Sequence, residues 1–163
     1  MMDQPELFTM SYRNNSRRCE HLYQPTELDN VNIFCSAWKL ASKYDRPTPD
    51  FALYADPIWV TKSRNEFINW PDFGVPRFQN LAYEQILGAY SIAKKFNVEI
   101  GCIGGHGRTG TILACMTVID KNIDATQAID FVRSTYCHHA IETSSQESFV
   151  EFFHDRLAQE EDR

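Results

Sequence analysis

The stretch Ile100 to Thr111 reads IGCIGGHGRTGT and gathers a thiol, a guanidinium, a hydroxyl and several glycines. Gly104, Gly105 and Gly107 let successive backbone N–H groups converge into a concave nest, a shape that binds anions. An apolar run precedes the stretch and a helical pattern follows it, so the nest opens onto a helix N-terminus with unpaired N–H groups and a favourable dipole. Arg108, at the mouth of that helix, offers a planar two-pronged donor suited to phosphate. Cys102 stands at the base of the nest. The same groups favour its thiolate, since helix N-termini lower cysteine pKa values to roughly 3.5–7.5. A thiolate beneath a bound phosphate is placed for in-line attack on phosphorus, giving a cysteinyl-phosphate. Arg108 and the loop amides, from Ile103, Gly104, Gly105, His106 and Gly107, would then hold the equatorial oxygens. The C-x5-R spacing alone is weak; the glycines, Thr109–Gly110 and the strand-to-helix setting give it weight.

Two further segments belong with this loop. CIGGHGRTG resembles the signature loop of the cysteine-dependent protein tyrosine and dual-specificity phosphatases, C-x-x-G-x-x-R-[S/T]. WPDFGVP, Trp70 to Pro76, is similar to that family's mobile acid loop, and IETSSQ, Ile141 to Gln146, to its water-positioning loop. The three come in the family's order, with Cys102 30 positions after Asp72. The resemblance runs from about Trp70 to Phe153 and leaves the N-terminal third unmatched. It implies that Asp72 protonates the leaving group, on a loop that Trp70, Pro71 and Gly74 make rigid between hinges. Thr109 would donate to the departing sulfur, and Gln146, with Glu142, would direct the water of a second step. Thr109 and Gln146 are equally ordinary at helix starts.

Three positions depart from the family pattern. Gly101 stands where a histidine usually precedes the cysteine and supports the thiolate. Glu142 stands where the larger tyrosine-specific enzymes carry glutamine, although I-E-T-x-x-Q is common in the compact dual-specificity branch. His106 occupies a position usually small or apolar. It either hydrogen-bonds locally to brace the loop or, when protonated, assists a more highly charged substrate.

These residues need elements to position them. Ile33, Phe34, Ala37, Trp38, Ala41 and Tyr44 lie at helical spacing within Asp29–Asp45 and predict a helix. FALYADPIWV predicts a strand broken at Asp56–Pro57, and EFINW a short strand running into the proline-rich loop. Tyr83, Ile86, Leu87, Tyr90 and Ala93 predict a helix over Asn80–Phe96. Val98–Ile100 is a buried strand, and Arg108 to Lys121 a helix. DATQ and TSSQ each look like a capping box opening a further helix, the last fading into the acidic stretch 158–163. Strands and helices alternate, which predicts an α/β fold: one layered domain over 1–163, a central mixed β-sheet flanked by helices, and the phosphate-binding loop between a strand and a helix N-terminus. The segment 1–24 is expected to be irregular.

Composition sets the outer bounds. With 163 residues, 43% hydrophobic and 13% aromatic, the chain can bury one core. No apolar run reaches membrane-spanning length, and the N-terminus lacks a signal-peptide pattern, so a cytoplasmic location is expected. The five cysteines are odd in number and irregularly spaced, unlike a disulfide or zinc framework. A net charge of −6 disfavours nonspecific nucleic-acid binding. Tyr136-Cys137-His138-His139 has ligand-type side chains without metal-site spacing, and reads as a structural connection between helices. Arg13, Arg17 and Arg18 form a basic patch or a solvated terminus; Tyr12 and Tyr23 have nothing fixing them at the site.

The resemblance implies a phosphatase acting on a phosphorylated protein, first on phosphotyrosine with phosphoserine and phosphothreonine as an extension of its range, without metal or other cofactor. A phosphoinositide or an RNA 5′-phosphate is the alternative substrate, suggested by His106. A catalytically inactive phosphotyrosine-binding module is the alternative class, suggested by Gly101. A rhodanese-like sulfur transferase would have no use for WPDFGVP.

Overall fold

The computed structural model describes residues 25–37, 48–55 and 64–163. Within them five strands form one mixed sheet. These are β1 (Thr26–Glu27), β2 (Asn32–Ala37), β3 (Phe51–Tyr54), β4 (Arg64–Phe67) and β5 (Val98–Cys102), in the order β1-β2-β5-β3-β4. β1 pairs antiparallel with β2; every other pairing is parallel. Four helices accompany them: α1 (Gln79–Ala93), α2 (Gly107–Lys121), α3 (Ala125–Thr135) and α4 (Ser144–Glu161). The α/β class and the mixed sheet follow the expectation from the sequence.

β5 lies at the centre and is buried along its whole length, as parallel strands covered on both faces must be. Ile33, Cys35, Phe51, Leu53, Val98, Ile100 and Cys102 share one core with the four helices. Ala52 and Tyr54 form a separate small cluster. Near them lies a buried Glu99, which accepts a 2.7 Å hydrogen bond from the Tyr54 hydroxyl. α2 is buried nearly all round, from Gly107 to Val118, because its sequence offers no polar face. α1 instead buries one stripe, Ala82, Tyr83, Ile86, Ala89, Tyr90 and Ala93.

The helix predicted over Asp29–Asp45 is corrected. Residues 32–37 are strand β2, paired in register with β5 from Ile33↔Val98 to Ala37↔Cys102. Ile33, Cys35 and Ala37 are all buried, a period of two that the helical spacing of Ile33, Phe34 and Ala37 masked. Pairing with a strand more than sixty residues away decides the matter, and no local pattern contains it. Trp38, Ala41 and Tyr44 lie outside the described residues, as do Tyr12, Arg13, Arg17, Arg18, Tyr23 and the Asp56–Pro57 break.

The capping predictions fare differently. Asp124 and Gln127 form the full reciprocal box at the start of α3. At α4 the Thr143 side chain accepts from Gln146 N, but the Gln146 side chain reaches one residue further back, to Glu142 N at 2.8 Å. α4 also runs on through the acidic stretch to Glu161, where Glu160 accepts from the Tyr83 hydroxyl at 2.9 Å.

Candidate active site at the carboxyl edge of the sheet

Cys102 ends β5, and six residues later the chain is inside α2. The ligand-facing end of a parallel sheet lies at its carboxyl edge, so the thiol sits where such folds bind substrates. Cys102 is only 3% exposed. Its Sγ accepts from Gly105 N at 3.3 Å and from Thr109 Oγ1 at 3.0 Å. The loop between bends back on itself at Gly105, whose φ of 74° is open to glycine at little strain. His106 is the N-cap of α2 and offers no side-chain cap.

Arg108 is buried and its guanidinium is held by one edge. NH1 donates to Ala55 O at 2.9 Å and to Trp70 O at 3.0 Å. NH2 lies 3.4 Å from Asp72 Oδ1, and Nε is buried without a partner among the described residues. A guanidinium anchored through one nitrogen presents its other two as a fork, the shape that matches two phosphate oxygens.

Asp72 is carried by a turn that Trp70 fixes. The Trp70 ring packs edge-on against Phe149 at 5.3 Å, and its Nε1 donates to Gly74 O at 2.6 Å. Gly74 N in turn donates to Pro71 O, and Phe73 takes a φ of 60°. Thr143 Oγ1 donates to Phe73 O at 3.0 Å, tying this turn to the start of α4. The carboxylate therefore stands over Arg108 while its side chain stays half exposed.

Ile141 to Gln146 closes the site from the other side. Ile141 has a φ of 60°, and Arg133 of α3 donates to Ala140 O, Ile141 O and Glu147. Gln146 is fully buried. Since its Oε1 accepts from Glu142 N, its Nε2 is left facing Gly107 without a partner among the described residues. Burial pushes the Glu142 carboxyl above the usual glutamate range; nearby Asp72 adds to this and Arg108 opposes it.

Two of the departures now have local explanations. A side chain at 101 would begin 3.0 Å from Ser36 O and 3.2 Å from the Tyr54 ring, so the packing there favours a glycine. His106 is partly buried and hydrogen-bonded to the Gly104 backbone. Burial holds it below the ordinary histidine range, with His139, 6.2 Å away ring to ring, and His138 acting the same way.

The structure thus brings Cys102, Ile103, Gly104, Gly105, His106, Gly107, Arg108, Thr109, Asp72, Glu142 and Gln146 to one place. Sequence reasoning missed two contacts made by residues it had named. Trp70 supplies a carbonyl as well as a ring, and Tyr136 donates its hydroxyl to Gly105 O at 2.6 Å. The second contact spans 31 residues and leaves no local signal.

No protein-family model matches the chain. An uncharacterized protein of Methanocaldococcus jannaschii is 40% identical over 81 residues, 48% of either chain, so the match spans about half of that relative. Tyrosine-protein phosphatase 3 of Schizosaccharomyces pombe is 26% identical over 70% of this chain and 41% of its own length. Cyclin-dependent kinase inhibitor 3 of Rattus norvegicus is 30% identical over 90% of this chain and 66% of its own length. Among solved structures, Tk-PTP superposes with a TM-score of 0.60 at 17% identity, covering 82% of this chain and 97% of Tk-PTP. Kinase associated phosphatase gives 0.61 at 16%, covering 83% and 96%. Both share the fold.

Proposed function

We propose that the chain, whose motifs resemble those of the cysteine-dependent protein tyrosine and dual-specificity phosphatases and whose fold is that of Tk-PTP and kinase associated phosphatase, hydrolyses phosphomonoesters through a cysteinyl-phosphate, with phosphotyrosine in a protein as substrate. One observation carries the reading. The Cys102 sulfur is held by Gly105 N and Thr109 Oγ1, directly behind a loop whose arginine keeps two nitrogens unused by backbone and lies beside Asp72.

In the first step Sγ attacks phosphorus, the bond to the ester oxygen breaks, and Asp72 gives that oxygen a proton. Nε and NH2 of Arg108 and the loop amides hold the three equatorial oxygens. Arg108 shares the Trp70 carbonyl with the acid loop, so loop position and phosphate position are mechanically linked. In the second step water breaks the S–P bond. Gln146 can present only Nε2, a donor, to that water, because its Oε1 is committed to Glu142 N. The proton must therefore pass to a carboxylate, Asp72 once ionised or Glu142. Thr109 Oγ1 steadies the departing thiolate.

Gly101 does not favour the inactive-module reading, since the space a histidine would fill is taken by Ser36 and Tyr54. The test is release of phosphate from a phosphotyrosyl peptide in the presence of a chelator, by wild type and Cys102→Ser. Turnover by wild type alone supports the reading, and phosphoseryl peptides and a phosphoinositide then define its range. A wild type that binds the peptide without turnover makes the chain a phosphotyrosine-binding module.

A further inference from the structure

The loop that encloses Cys102 is held from outside by the connection between α3 and α4. The carbonyl of His106 accepts from Gly110 N at 2.8 Å and from Ile141 N at 3.4 Å. The carbonyl of Gly105 is taken by the Tyr136 hydroxyl at 2.6 Å. Tyr136 is 6% exposed and its side chain is also hydrogen-bonded to Cys35 of β2. A ring wedged between the central sheet and the loop has little freedom to follow a moving partner.

A trans peptide carries its C=O and the next N–H on opposite sides. Pinning Gly105 O on Tyr136 therefore turns the His106 N–H away from Tyr136. Gly105, at φ 74°, sits in a conformation from which a glycine can rotate its peptide readily. The direction of this peptide is left open by the loop's own sequence, and an external hydroxyl decides it.

We propose that Tyr136 is a positioning residue for the anion nest, fixing the Gly105–His106 peptide so that the His106 amide faces the bound phosphoryl group. The inference rests on the phosphatase reading only in taking the nest to bind an oxyanion. It concerns recognition of the phosphoryl group and leaves the attacking and proton-donating residues as they are. It also gives the Tyr136–His139 segment a use as a brace, with Tyr136 as the member that reaches the loop.

The experiment measures inorganic phosphate binding by calorimetry, thermal melting, and amide spectra of protein labelled with ¹⁵N-histidine. Wild type is expected to bind phosphate with a marked shift of the His106 amide. Tyr136→Phe keeps the ring and loses the donor. It should bind phosphate about tenfold more weakly, as expected for one buried hydrogen bond, and its His106 amide should no longer respond. A lower melting temperature with unchanged affinity and an unchanged amide response overturns the proposal and leaves Tyr136 a packing residue. A His106 amide indifferent to phosphate in wild type overturns it regardless of how the variant folds. If wild type binds phosphate and responds at His106, the variant loses affinity and response, and wild type lacks turnover with any phosphomonoester, the hydrolase reading falls and the role of Tyr136 stands. A wild type that binds no phosphate removes both.

Discussion

On the proposed mechanism Asp72 and Cys102 answer to different parts of the reaction, and substitutions separate them. Cys102→Ser removes the proposed nucleophile and should abolish turnover while leaving the oxyanion site in place. Asp72→Asn removes only the proposed proton donor. Its kcat should fall by about a hundred- to ten-thousand-fold on a phosphotyrosyl peptide. The loss should be much smaller on a nitrophenyl phosphate, whose leaving group needs little protonation. An equal loss on both substrates would remove Asp72 from the acid's role. Glu142 adds a pH signature of its own. Its folded pKa is raised, chiefly by burial, so the folded state holds the proton more tightly than the unfolded state. The resulting stabilisation is complete below the unfolded pKa and is lost as pH rises through the folded value. Glu142→Gln should therefore melt higher than wild type at pH 7, with the gap closing toward pH 4. The same variant should release phosphate more slowly in the second step, accumulating phosphorylated enzyme in a rapid-quench experiment.

At the scale of elements, the turn carrying Asp72, the loop from Cys102 to Arg108 and the start of α4 could be placed together from sequence because each is a contiguous run of residues. Capping at Asp124 was legible for the same reason: its partners lie three residues apart. β2 was misread as helix because its pairing with β5 is non-local. Tyr136 was missed because nothing near it in sequence marks a donor for Gly105. Gly101 stands where the family carries a supporting histidine, and it packs tightly between β2 and β3, its two neighbours in the sheet. Gly101→Ala should cost about 1 kcal/mol in urea unfolding, since Ser36 O is backbone and yields little. Gly101→His should cost more, because the imidazole must displace the Tyr54 ring from Glu99. A stabilising Gly101→His would mean that Tyr54 can leave freely. The Thr143–Phe73 bond makes a second element-scale claim. Thr143→Ala should loosen the acid loop, raising its backbone hydrogen exchange, and should lower kcat with little change in inorganic phosphate affinity. It also removes a helix cap worth about 1 kcal/mol.

Across the whole molecule, α2 joins two tasks at opposite ends. Its N-terminus carries Arg108 and Thr109; about 20 Å away by helix geometry, its last turn carries Asp120. That carboxylate is 8% exposed and accepts from Asp29 N at 2.6 Å, Asn30 N at 3.0 Å and the Tyr90 hydroxyl at 2.9 Å. It thereby ties the β1–β2 turn and α1 to the helix whose other end holds the nest. Burial pushes Tyr90 up to about 12, with the Asp120 hydrogen bond adding to it. Asp120→Ala leaves three donors without their acceptor and should lower stability by about 3 kcal/mol. Tyr90 should then titrate closer to an ordinary tyrosine, which ultraviolet absorbance can follow. If α2 acts as a rigid strut, the loss stays at that end, and phosphate affinity measured well below the melting temperature is unchanged. If affinity falls in step with stability, the nest depends on the helix being clamped at both ends, and the site is a property of the whole fold and not of its loops alone.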